Sequence, residues 1–136
     1  MNVLFLCTGN SCRSQIAEAF GSRFVASGHR VWSAGLTPQG INPRTTQTMD
    51  EIGVSIGQQY SKDLDEVPVA DLDLVVTLCG NAEEKLPAEL ESIRRIHWNL
   101  EDPADASGED DEIRRVFRET RDDIEVRIKQ LLGACG

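Results

Sequence analysis

A cysteine and an arginine separated by five residues, with a serine directly after, stand near the start of the chain in Cys7-Thr8-Gly9-Asn10-Ser11-Cys12-Arg13-Ser14. Before them, Val3-Leu4-Phe5-Leu6 is a short apolar run that reads as a buried strand. After them, Ile16, Ala17, Phe20 and Phe24 fall on one face of a helix. A junction of this kind points several backbone N–H groups and the positive end of a helix dipole at one small volume. Gly9 is expected to let the loop take turns that a bulkier residue resists, and Arg13 adds a planar fork of donors suited to an oxyanion. The pattern predicts a cradle for a tetrahedral oxyanion, built from Thr8, Gly9, Asn10, Ser11, Cys12 and Arg13, with the Cys7 sulfur at its floor. A thiol at a helix N-terminus beside an arginine has its thiolate form favoured. A thiolate under a bound oxyanion is poised for in-line attack on the central atom.

Beyond this junction, strands and helices alternate along the chain. A helix is expected over Ser14–Ala26, then a strand at Arg30–Ala34. Asn42-Pro43 opens a second helix as cap and first-turn proline, with Met49 and Ile52 inward and Gly53 ending it. A short helix is expected from Ser61 to Val67. Leu72–Leu78 is the most apolar strand and so a central one, and Ile93–Trp98 is an edge strand. A final helix runs from about Gly108 to Leu132, with Ile113, Val116, Phe117, Ile124, Ile128 and Leu131 as its apolar stripe. Alternation of this kind implies a single α/β domain spanning residues 1–136, a parallel sheet covered by helices on both faces. Ligands in such sheets bind beyond the strand carboxyl ends, where Cys7 lies.

The same edge collects two more candidates. Cys79 follows the third strand and should emerge near Cys7, where two thiols can exchange a disulfide once a loop movement closes the gap. Asp102 lies in an acidic loop, Glu101 to Asp110, whose mutual repulsion favours keeping one carboxylic acid protonated as a proton donor. Ser107 or Asp105 is the expected cap of the final helix.

At 136 residues and a net charge of −9, the chain lacks the basic surface that nucleic acid or an acidic membrane would need. Four cysteines, no metal-type pairing, and no leader or apolar span point to a reducing cytoplasm and to no bound zinc. No apolar surface stripe calls for a second subunit, so a monomer is expected.

These motifs resemble the low-molecular-weight tyrosine phosphatases, and more closely their thiol-coupled arsenate reductase branch. The resemblance rests on Cys7–Gln15, Ser33-Ala34-Gly35, Asn42-Pro43, Val75–Cys79, His97-Trp98 and Asp102-Pro103. It implies a three-layer fold with a four-stranded parallel sheet in the order 2-1-3-4. It further implies that Cys7 attacks arsenate held by the loop and Arg13, that Ser14 hydrogen-bonds the Cys7 thiolate, and that Asp102 protonates the departing oxygen. Cys79 then takes the Cys7 sulfur as a disulfide, which thioredoxin, or glutathione with glutaredoxin, reduces. Phosphate and sulfate would compete for the cradle. The alternative within the resemblance is a phosphatase acting through a phosphocysteine, with weak activity of that kind expected in either case. The chain departs from the pattern twice. No third cysteine follows Cys79 closely, which leaves Cys135 in the tail as the substitute relay thiol and the loop thiol Cys12 as a weaker one. Asn10, Glu18 and Ser33 match a potassium site, but Lys62 stands where an aspartate would, so no potassium and no other bound cofactor is expected.

Overall fold

In a computed structural model, residues 1–133 are described. Four parallel strands form one sheet in the order β2-β1-β3-β4: β1 Asn2–Cys7, β2 Arg30–Gly35, β3 Leu74–Thr77 and β4 Arg94–His97. The 2-1-3-4 expectation therefore holds. Strand β1 is buried on both faces from Val3 to Cys7, as a near-continuous apolar run in a covered parallel sheet should be. Strand β3 is buried throughout, and β4 at the edge shows only Ile96 half-buried.

Four α-helices flank the sheet: α1 Arg13–Gly21, α2 Pro43–Asp50, α3 Gly80–Glu84 and α4 Asp110–Ile128. The Asn42 carbonyl side chain accepts the Arg44 N–H at 2.9 Å, and Pro43 sits at the first turn, as the sequence predicted. Helix α4 carries Asp110, Asp111 and Glu112 in its first turn and Arg127 in its last, both favourable to its dipole.

Several boundaries differ from expectation. Helix α1 ends at Gly21, because its next turn tightens into 3₁₀ geometry over Ser22–Ser27 and closes on Gly28 at φ 89°. Gly21 is the close-packing point there: a Cβ would meet the Val31 side chain at 2.9 Å. Helix α2 stops at Asp50, which leaves Ile52 outward and exposed rather than on the inner face. Only Leu64–Glu66 of the Ser61–Val67 segment is helical, as a 3₁₀ turn. Neither Ser107 nor Asp105 caps α4, whose cap position is Glu109 with no side-chain bond. The end of α4 widens into a π turn over Lys129–Gly133, which rotates the apolar stripe so that Leu132, not Leu131, is fully buried. Cys135 lies outside the described residues.

Candidate active site

The segment between β1 and α1 is held from outside by its carbonyl groups. Cys7 O accepts from Leu36 N (3.1 Å), Thr8 O from Thr37 N (2.8 Å), and Gly9 O from Gln39 N (2.9 Å). Ser61 Oγ also donates to Gly9 O at 3.0 Å, and Gln15 Nε2 donates to Asn10 O at 3.0 Å. Ser11 O accepts from Asn42 N and from Thr45 Oγ1, and Cys12 O from Ile16 N. All six carbonyls from Cys7 to Cys12 are thus engaged away from the sulfur. Because each peptide is planar and trans, this turns its N–H to the opposite side. The Asn10 N–H indeed donates to Cys7 Sγ at 3.2 Å.

Two residues make this turn possible, and the first is not the one expected. Gly9 has no left-handed backbone; the positive φ of the loop falls on Asn10, at 50°. Asparagine tolerates that region better than most residues because its short polar side chain bonds locally. Here Asn10 Nδ2 donates to Ser14 Oγ (2.8 Å) and Ser33 Oγ (3.0 Å), and Asn10 Oδ1 accepts from Lys62 N (2.9 Å). The second residue is Gly35, against which the loop backbone lies. A Cβ there would stand 2.7 Å from Thr8 O and 2.8 Å from Asn10 N.

Cys7 is 2% exposed, and its sulfur lies 2.8 Å from Ser14 Oγ. Arg13 is 8% exposed. It donates from one terminal nitrogen to Leu100 O (3.0 Å) and pairs through the other with Asp102 Oδ2 (3.4 Å). Its buried Nε has no partner among the described residues, so a donor remains for an anion. Asp102 also accepts the Ala104 N–H at 3.0 Å and caps the 3₁₀ turn Pro103–Asp105. The acidic loop was expected to set Asp102 against like charges; the structure instead places it beside Arg13, above the cradle.

Cys79 lies two residues beyond β3 and is the cap of α3, accepting the Ala82 N–H at 3.4 Å. Its sulfur is 3.3 Å from Thr8 Oγ1, which in turn accepts from Asn81 Nδ2 at 3.0 Å. Cys79 is therefore tied to the Cys7 loop through the side chain of Thr8, the residue next to Cys7. Both cysteines open into a pocket of about 460 Å³ that Arg13 and Asp102 also line. No aromatic residue lines it, and Tyr60, the chain's one tyrosine, points to Glu66 instead, donating to its carboxylate at 2.6 Å. Cys12 is 3% exposed, and burial pushes its thiol up from the ordinary value, which disfavours the nucleophilic thiolate.

Beneath α3, Thr77 Oγ1 donates to Glu83 Oε2 at 2.7 Å and lies 2.8 Å from His97 Nδ1, while Arg95 pairs with Glu83 at 3.1 Å. The Thr77 hydroxyl, with Arg95 and His97 nearby, holds the Glu83 carboxyl below its usual value. A carboxyl depressed in the folded state stabilises it above the unfolded-state pKa, and that contribution is lost as pH falls through the folded value. Thermal unfolding between pH 7 and pH 3 is therefore expected to show an acid limb that Glu83→Gln flattens. Equal slopes in the two proteins would contradict this anchoring of α3.

The potassium-like set is filled differently. Lys62 is 8% exposed, and its Nζ lies 3.2 Å from Glu18 Oε1, which also accepts from Ser33 Oγ at 2.6 Å. With an ammonium already on this carboxylate, the residues do not fit a potassium ion. Among the described residues no cluster of three or more His, Cys, Asp or Glu side chains forms a metal site. No described helix is long and apolar enough to cross a membrane.

A loop of this geometry at the first strand, backed by Asp102 from the far side, defines a class that comparison confirms. The chain belongs to the low molecular weight phosphotyrosine protein phosphatase family, whose model matches residues 2–135. Within that family its relatives include an arsenate reductase of Halalkalibacterium halodurans, 46% identical over 127 residues, covering 93% of this chain and 91% of the relative. A solved arsenate reductase in a phosphate-binding state is 33% identical, with a TM-score of 0.83, covering 99% of this chain and 98% of that one. A thioredoxin-dependent arsenate reductase of Corynebacterium glutamicum is 28% identical with a TM-score of 0.74; the match covers 98% of this chain and 60% of that one.

Proposed function

We propose that this protein is an arsenate reductase that uses its own two thiols as the electron source. The observation that carries the reading is Cys79, a second thiol joined to the Cys7 loop through Thr8 and opening into the same pocket. Arsenate sits on the loop N–H groups and Arg13. The Cys7 thiolate attacks arsenic and one oxygen leaves as water, Asp102 giving the proton. Ser14 holds the sulfur in line. Cys79 then attacks Cys7 Sγ; the S–As bond breaks, and its electron pair stays on arsenic. Arsenate and two thiols thus become arsenite, one disulfide and water.

An external thiol must then reduce the disulfide. A thioredoxin-type dithiol is the reading favoured here, supported by the thioredoxin-dependent relative. The mechanism needs no bound cofactor. The test is arsenate-dependent NADPH oxidation by the wild-type chain with thioredoxin and its reductase, beside glutathione with glutaredoxin. Turnover with thioredoxin only is the expected result. Failure with both systems, alongside fast hydrolysis of an aryl phosphate, would give the site to phosphoester cleavage instead. The Cys135→Ser variant belongs in the same assay: loss of turnover would make the tail cysteine the third relay thiol, and full activity would end that role. The pocket's lack of aromatic walls favours a bare oxyanion over an aryl ester.

Lys62 takes the cation's place in this reading. Lys62→Met would leave Glu18 unpaired at a largely buried site, a loss on the order of 3 kcal/mol. Added potassium should restore part of the thermal stability of Lys62→Ala and leave the wild type unchanged. A wild-type response equal to the variant's would contradict the substitution of ammonium for ion.

A further inference from the structure

Gly9 and Gln39 are fitted to one another. Gly9 does not need a glycine for its backbone angle, yet a Cβ there would stand 2.9 Å from Gln39 Oε1 and 3.1 Å from Gln39 Cδ. Real Cβ atoms do not approach so closely, so any side chain at position 9 displaces the Gln39 amide. The backbone fixes the same pair, since Gln39 N–H donates to Gly9 O at 2.9 Å. Gln39 is exposed, comes from the stretch between β2 and α2, and lines the pocket shared by Cys7 and Cys79. An exposed glutamine laid against a loop glycine buries little apolar surface, so packing alone does not account for the fit.

We propose that Gln39 is a specificity-determining residue of the arsenate pocket, its amide held at the mouth by the absence of a side chain at Gly9. This rests on the arsenate reading of the site. Arsenate near neutral pH carries both anionic oxygens and an As–OH group, and an amide can donate to the first and accept from the second. The oxygen of an aryl ester offers no proton in return. Gln39 therefore favours a free oxyanion over an ester in a way that a charged or apolar residue at the mouth would not.

The experiment is a double-mutant cycle read on arsenate turnover and on competitive inhibition by inorganic phosphate. Gln39→Ala is expected to raise the arsenate KM and the phosphate inhibition constant together, by about ten- to a hundredfold, the size of one hydrogen bond to an anion, with kcat nearly unchanged. Gly9→Ala should impose up to the same loss in the wild-type background. It should cost much less when Gln39 is already alanine, because the displaced group is gone. Unchanged KM and inhibition constant in Gln39→Ala would overturn the proposal, as would an equal cost of Gly9→Ala in both backgrounds. Wild-type protein in the same assay separates the two readings: no arsenate turnover there would sink the reductase assignment itself, whereas normal turnover with a silent Gln39→Ala sinks only this inference.

Discussion

Cys79→Ser is expected to end repeated arsenate turnover while leaving oxyanion binding in place. The cradle is built from the Cys7–Cys12 backbone and Arg13, and none of its carbonyl anchors comes from Cys79. The serine hydroxyl can still cap α3 and still face Thr8 Oγ1, so the surroundings of position 79 change little. What disappears is the sulfur proposed to take the Cys7 sulfur from arsenic. Phosphate should therefore inhibit or protect the variant with nearly wild-type affinity, while arsenite formation with any reductant falls to background. Turnover that persists with thioredoxin would show that the partner's own thiol attacks the arsenic adduct and that Cys79 is dispensable.

Gly35→Ala is expected to do the reverse: both thiols remain, and the anion is lost. An alanine Cβ at 2.7 Å from Thr8 O and 2.8 Å from Asn10 N meets backbone on two sides, with no flexible side chain that can give way. The loop must move by several tenths of an ångström or more. That displaces the N–H groups proposed to hold the substrate and the Asn10 N–H that meets Cys7 Sγ. Misplacement of a reacting geometry on the scale of an ångström costs about a hundredfold in rate. A loss of that order in arsenate kcat/KM is expected, accompanied by weaker phosphate inhibition and by thiol counts equal to wild type. Full activity in Gly35→Ala would mean that the loop reaches its working shape only with substrate bound.

The cradle was legible in the sequence because its chemistry is local. Cys7, Arg13 and Ser14 are neighbours along one strand-to-helix junction, and the apolar runs on either side fix where that junction falls. The parallel sheet was legible for a similar reason, since alternation along the chain dictates layers. The parts that were missed depend on approach between distant segments. Nothing local marks Gln39 as a pocket residue or Gly35 as the surface on which the loop rests; each follows from how residues 35–45 pair with residues 7–11. Gly9 was read for backbone freedom, and the structure moved that burden to Asn10. Lys62 stood out as a departure at an aspartate position, but only the fold shows its ammonium buried on Glu18. The stripe of α4 slipped by one residue at its end because the π turn adds a residue that a 3.6-residue period does not contain.

The most direct test of the central claim uses wild-type protein without any external reductant. One equivalent of arsenate is added to the fully reduced chain, the reaction is quenched by alkylation, and free thiols, arsenite and linked peptides are counted together. The expected result is one arsenite per chain, two thiols lost, and a single crosslinked pair joining the Cys7 and Cys79 peptides. Arsenite formed with Cys79 still free, or a bridge from Cys7 to another cysteine in its place, would contradict it.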